Sequence, residues 1–288
     1  MGSFKKVPDT SHLRRDYFKR AIVYLESGED LLIIKDRWFH NEGEYLEFKS
    51  ADEGEGGGAS RVVNMVDEDR ASGFVAFGLV DRDALQARQK WEVWWEQNDA
   101  LFSTLRPLGE HIRVLRRWEI ENYLLDPEIV EEERANLEGR AVTRSNPVEK
   151  LAKDILMPAK FLASAAIVLH EQGTKLGDDL NKVEPTEELM KKVSEKIGDK
   201  TIRFEETLKR IEIFGEGHPE TSSEYWERIS RVLDGKRILK RLGLAQSSLD
   251  KPRDYRLSLA SKIRQSGKID FEFNGYIEEF KTAAREAI

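Results

Sequence analysis

Three carboxylates stand where chemistry is possible. Glu26 closes the short apolar run "AIVYLE" (21–26), and Asp81 and Asp83 close the run "GFVAFGLV" (73–80) with only Arg82 between them. A carboxylate at the mouth of a buried strand is costly unless something pairs with it. Carboxylates brought close together repel unless a cation sits among them. The chain has no cysteine, so thiolate ligands are excluded, and its 5 histidines share no spacing and read as structural or surface residues. The expected ligand set is therefore hard oxygen, which selects Mg²⁺ or Mn²⁺. A magnesium ion held by few carboxylates keeps positions for phosphate oxygens and water, the arrangement of phosphoryl chemistry.

For Glu26, Asp81 and Asp83 to meet, two strands must end on the same rim. The β-branched and aromatic run at 21–26 reads as a first strand. "DLLIIKDRWF" spaces Leu31, Ile34 and Trp38 as an amphipathic helix, and "EYLEFKS" alternates as a second strand. A glycine-rich loop, "ADEGEGGGAS", leads into a short helix, "RVVNMVDEDR". The near-continuous apolar run 73–80 fits the centre of a parallel sheet. "ALQARQKWEVWWEQNDALF" reads as helical or lid-like, and "HIRVL" (111–115) as a fourth strand. The order predicts an α/β fold, a parallel sheet with flanking helices, in which ligands sit outside the carboxyl ends of the strands. From residue 126 onward the periodicity is helical with capping residues between segments. The expected domains are 1–125, catalytic, and 126–288, mostly α-helical.

Composition bounds the partners. Charged residues at 35% against 39% hydrophobic describe a soluble chain with a heavily charged surface, and no apolar run approaches a membrane span. The first 20 residues show no apolar core behind their basic residues, so no signal peptide is expected and the expected location is cytoplasmic. A net charge of −7 argues against a generic nucleic-acid coat but leaves room for a local basic face. Basic residues group within residues 5–20, at Arg113, Arg116 and Arg117, and from Arg228 to Arg241. Each group reads either as a solvated helix face or as a phosphate-binding surface.

Other residues carry two readings each. Asp30 either joins the site or caps the helix that follows it. The glycine loop lacks the Lys-Ser/Thr of a Walker motif, so it is either a flexible turn or a set of backbone amides facing a phosphate. Alternation through "RRWEIENYL" sets Glu119 and Glu121 opposite Trp118, Ile120 and Asn122. Glu121 then either adds a metal ligand or water contact, or pins the helical region to the sheet through an arginine. Lys236, after Gly235, either meets a phosphate or is an exposed residue at a helix start. Arg82 is expected to point away as a solvated side chain. Trp91, Trp94 and Trp95 are expected on one helix face, against core or partner.

In the order "VYLESGED", "GGGASRVV", "GLVDRDAL", these segments resemble the toprim signature of topoisomerases, bacterial primases and OLD-family nucleases. "WEIENYLLDPE" (118–128) and "LDGKRILKRLGL" (233–244) further resemble toprim proteins encoded beside ABC-type ATPases in bacterial defence loci, in particular effectors of PARIS-type anti-phage systems. That resemblance implies a metal-dependent endoribonuclease with Glu26, Asp81 and Asp83 on Mg²⁺ or Mn²⁺ and with Glu121 and Lys236 beside them. It implies an ABC-type ATPase partner that holds the enzyme inactive, release when a phage protein is sensed, and cleavage of host tRNA. A homodimer is the expected active form. An OLD-type DNA nuclease and a non-catalytic toprim module are the alternatives. A topoisomerase or primase would need more chain or a template-binding module.

Overall fold

Two runs of buried residues decide the architecture. The computed structural model describes residues 20–52, 58–142, 146–184, 186–244 and 255–287. β1 (Ala21–Leu25) is buried at every position, β2 (Leu46–Ser50) only at alternate ones, and β3 (Ala76–Val80) again at every one. A strand covered on both faces must be apolar throughout, whereas one with a partly solvated face alternates. With β4 (Ile112–Val114), the sheet order is β2-β1-β3-β4, so the two continuous strands are the inner pair. β1 runs parallel to both neighbours, with Leu25 opposite Ser50 on one side and Leu79 on the other. β3 and β4 also run together: Gly78 N–H donates to the His111 carbonyl at 3.0 Å and Leu115 N–H to that of Val80 at 2.8 Å. The expected α/β class with a parallel sheet, flanking helices and a helical C-terminal region is the one observed. The glycine-loop residues 53–57 and most of the basic group at 5–20 lie outside the described residues.

By contact density the chain forms two compact units. The first draws its described residues from 20–79, 108–113 and 271–287. Successive strand residues face opposite sides of a sheet, and β3 uses this sharply. Phe77 stacks on Phe280 of helix Phe271–Glu286 with ring centroids 4.4 Å apart. Gly78, on the other face, meets Val62 of helix Ala59–Ala71. That helix runs 13 residues, longer than the short helix expected, because it spans the sheet and buries Val62 and Val66. The helix expected at 30–39 begins at Gly28 and continues as a π-helical stretch, Leu32–Trp38, burying Ile33, Ile34 and Trp38. Asp30 does cap it, though from the third helical position. Its side chain accepts from Ser27 N–H while Ser27 Oγ accepts from Asp30 N–H, both at 3.1 Å, a reciprocal capping box.

The second unit, within 80–107 and 114–270, is helical. Its helices start and stop where the sequence has caps. In helix Pro127–Glu138, Asp126 accepts from the N–H groups of Glu128 and Ile129, Pro127 fills the first turn, and Gly139 ends the helix at φ 63°. Leu162, Val168 and Leu169 form a core with Leu189, Val193, Ile197 and Phe204. No helix among the described residues is long and apolar enough to cross a membrane.

Arg113, Arg116 and Arg117 are not a solvated helix face. They lie on and just after β4, and Arg113 and Arg116 are buried. Within the first unit Arg113 pairs with Glu279. Within the second, Arg116 reaches Asp99 and Asp270, each at 2.9 Å, and Arg117 reaches Asp270 at 3.0 Å. Three arginines in five residues are tolerated because each finds a carboxylate from a distant part of its own unit.

The fold makes a direct prediction at Gly78. An added Cβ would lie 2.6 Å from Val62 Cγ1 and 2.7 Å from Ile112 Cδ1. Gly78→Ala is expected to lower the unfolding free energy by about 1–3 kcal/mol through overpacking, read from the chemical denaturation midpoint. An unchanged midpoint would show that the helix can lift off the sheet without cost.

Candidate metal centre

The last paired residues of β1 and β3 are Leu25 and Leu79, so Glu26 follows one residue beyond the pairing and Asp81 two. One carboxylate oxygen from each of Glu26, Asp81 and Asp83 lies within 4.8 Å of the others. Donors on opposite sides of a Mg²⁺ ion, each about 2.1 Å away, stand about 4.2 Å apart, so this spacing suits one small cation. All three donors are hard oxygens, as that ion requires. Glu26 also has the end of the glycine loop beside it. Gly58, at φ 91°, precedes helix Ala59–Ala71, and a Cβ there would lie 3.6 Å from Glu26 Oε2. The positive end of a 13-residue helix thus starts next to the Glu26 carboxylate.

Arg82 separates Asp81 from Asp83, and it is not solvated: its exposure is 0%. Its Nε donates to the Trp94 carbonyl at 3.1 Å, Nη2 to the Glu96 carbonyl at 3.0 Å, and Nη1 to the Arg116 carbonyl. The guanidinium also lies over the rings of Phe102, Trp94 and Phe214 at 4.5, 5.6 and 5.7 Å. An arginine between two aspartates reads as surface because its partners here are carbonyl oxygens and aromatic faces, which leave no charge pattern in the sequence. The expectation for the tryptophans holds for Trp94, which is buried edge-on against Trp118 at 4.9 Å.

The two later motifs meet each other. Residues 120–124 form a 3₁₀ helix rather than an alternating strand. Glu119 N–H donates to Asn122 Oδ1 at 3.1 Å, which bends the chain out of the extended form. Both glutamates are buried and both face Lys236: its ammonium lies 3.1 Å from Glu119 Oε2 and 3.8 Å from Glu121 Oε2. Glu121 also accepts from Arg256 at 3.0 Å, a bond within the second unit. Glu119 holds the Lys236 ammonium above the usual lysine range, with Glu121, Asp81 and Asp83 adding to it and burial opposing. Burial raises the Glu119 carboxyl, the protein packed around the exposed Asp83 raises that one too, and the Lys236 charge opposes both shifts. Asp83 also feels Asp234 and the imidazole of His170, neither of which any sequence spacing had singled out.

The basic run 228–241 is engaged largely inside its own unit. Arg231 pairs with Asp99, Arg237 with Asp234 and the Leu176 and Gly177 carbonyls, Lys240 with Asp178, and Arg241 with Glu184. Lys236, in this run, contacts Glu119 and Glu121.

Arg82→Lys is expected to lower the unfolding free energy by about 3 kcal/mol, because a lysine cannot serve the separate carbonyls that the guanidinium fork reaches. Mn²⁺ affinity should fall with it, since Asp81 and Asp83 flank the anchor. Denaturation and Mn²⁺ titration of the same variant check both, and wild-type values in either would refute the anchoring role. No protein-family model, no curated protein and no solved structure matches this chain.

Proposed function

We propose that this chain is a cytoplasmic, toprim-type, metal-dependent nuclease that cuts the phosphodiester backbone of RNA. The observation that carries this reading is the grouping of Glu26, Asp81 and Asp83 within 4.8 Å, with the electrostatic reach of the Lys236 ammonium extending to both aspartates. Glu26, Asp81 and Asp83 would hold Mg²⁺ or Mn²⁺, with Glu121 at the margin. Once bound, the ion would polarise a phosphoryl oxygen and make an attacking water more acidic. Lys236 supplies a fixed positive charge for a phosphate oxygen, and its ammonium retains hydrogens beyond the one facing Glu119.

The finer reading rests on the likeness of "VYLESGED", "GLVDRDAL", "WEIENYLLDPE" and "LDGKRILKRLGL" to the PARIS-type defence effectors. On that reading an ABC-type ATPase holds the chain silent, a phage protein triggers release, and host tRNA is the substrate. Two released chains paired as a homodimer would set two centres against one RNA.

The test incubates the purified chain, and the chain co-expressed with an adjacent ABC-type ATPase and trigger, with tRNA, total RNA and plasmid DNA. Cleavage of RNA should require Mg²⁺ or Mn²⁺, stop on chelation, and fall at least about 100-fold in Glu26→Ala with an unchanged circular dichroism spectrum. Cleavage of plasmid alone would favour the OLD-type DNA nuclease. A Glu26→Ala variant with full activity would remove the assigned site, and no cleavage of any substrate by the triggered protein would leave a non-catalytic module.

A further inference from the structure

Glu119 grips Lys236 twice. Its Oε1 accepts the Lys236 backbone N–H at 2.6 Å and its Oε2 faces the Lys236 ammonium at 3.1 Å. Lys236 is the second residue of helix Gly235–Arg241, so its N–H is one of the first-turn donors that have no acceptor within the helix. Glu119, which is 117 positions away in sequence, therefore caps this helix and holds the lysine's tip with the same carboxylate. A free lysine side chain samples many rotamers and loses that freedom when it is held. Tying both its backbone and its ammonium to one buried group removes much of that freedom before any ligand arrives.

The grip is itself held. Asn122 Oδ1 accepts from Glu119 N–H at 3.1 Å, and Asn122 Nδ2 donates to the carbonyls of Ser230 and Leu233 at 2.7 and 2.8 Å. Gly235 presses on the same asparagine: a Cβ there would fall 2.8 Å from the Asn122 backbone nitrogen and 2.7 Å from Oδ1. Backbone against backbone cannot yield by a rotamer change, so only glycine lets the helix start this close. The Lys236 side chain nevertheless keeps 47% of its surface open. An arrangement that merely buried a charge pair would not leave the side chain so open.

We infer that Glu119 is a positioning residue: clamped by Asn122 and Gly235, it fixes the Lys236 ammonium on the Asp81–Asp83 side of the second unit, ready to take a phosphate oxygen of the substrate backbone. This rests on the nuclease reading for its chemistry, but not for its geometry. Partners of this kind, acting through another residue, typically contribute about 10–100-fold.

The test has a kinetic arm and a structural arm. Glu119→Gln, which keeps an acceptor for the N–H but loses the charge, should lower kcat about 10–100-fold with Mn²⁺ affinity, measured by electron paramagnetic resonance, unchanged within about twofold. Added to Lys236→Ala it should cause no further loss, because both changes remove the same group from its place. An additive loss, as a separate stabilising role would give, overturns the inference. In the structural arm, hydrogen–deuterium exchange at the Lys236 amide should be slow in the wild type. It should accelerate at least about tenfold, as loss of about 1.4 kcal/mol of protection implies, in Glu119→Ala and in Gly235→Ala. The second variant leaves Glu119 intact should the first fail to fold. Unchanged exchange in the folded variants refutes the clamp whatever the enzyme cuts, and a wild type that cuts nothing while the amide behaves as stated refutes only the nuclease reading.

Discussion

The arrangement of the acidic centre depends on a buried guanidinium, that of Arg82. Arg82 lies in the one sequence position where a side chain can be driven away from both flanking aspartates, and it is driven into carbonyl oxygens and three aromatic rings. A buried charge left without partners would cost several kcal/mol. With them, it acts as a peg at the end of β3. The Arg82 and Asp83 amides both point to the Trp118 carbonyl, at 2.9 and 3.4 Å, so the same turn is tied to the segment that carries Glu119. Asp81 joins this from its side chain, accepting from Ile120 N–H at 3.2 Å.

Charge balance is what favours a cation at this corner on the proposed reading. In the second unit Glu121 is matched by Arg256, Asp234 by Arg237 and Glu119 by Lys236. Asp81 and Asp83 add two further negative charges within reach of Lys236, which already serves Glu119. On the proposed reading a divalent ion would add positive charge here, and its small radius suits the close spacing of the oxygens. Arg231, Arg237 and Arg241 are engaged elsewhere in the second unit, by Asp99, Asp234 and Glu184.

Much of the sheet was legible because its signals are local. Residues 21–25 and 76–80 are apolar at every position since both faces are covered, and helix Pro127–Glu138 is bracketed by Asp126-Pro127 and Gly139. Glu26, Asp81 and Asp83 were legible because strand ends in a parallel sheet share a rim. What was hidden is long-range and polar. The burial of Arg82 depends on carbonyls that every residue possesses. The Trp118–Asn122 stretch alternates like a strand, but a side-chain oxygen of Asn122 captures the Glu119 amide and winds it into a 3₁₀ turn. The grip of Glu119 on Lys236, and the return of residues 271–287 to the sheet, join positions that no periodicity links.

That return has a consequence for synthesis. Phe77 on β3 is covered by Phe280, yet β4 ends at Val114 and the covering helix begins at Phe271. At roughly 5–20 residues per second on the ribosome, one face of the finished strands waits on the order of 10 s for its lid. During that interval the nascent chain exposes an aromatic sheet surface to whatever folding assistants the cell offers. A polypeptide interrupted anywhere before helix Phe271–Glu286 leaves that surface bare, a mark by which quality-control proteases can recognise it.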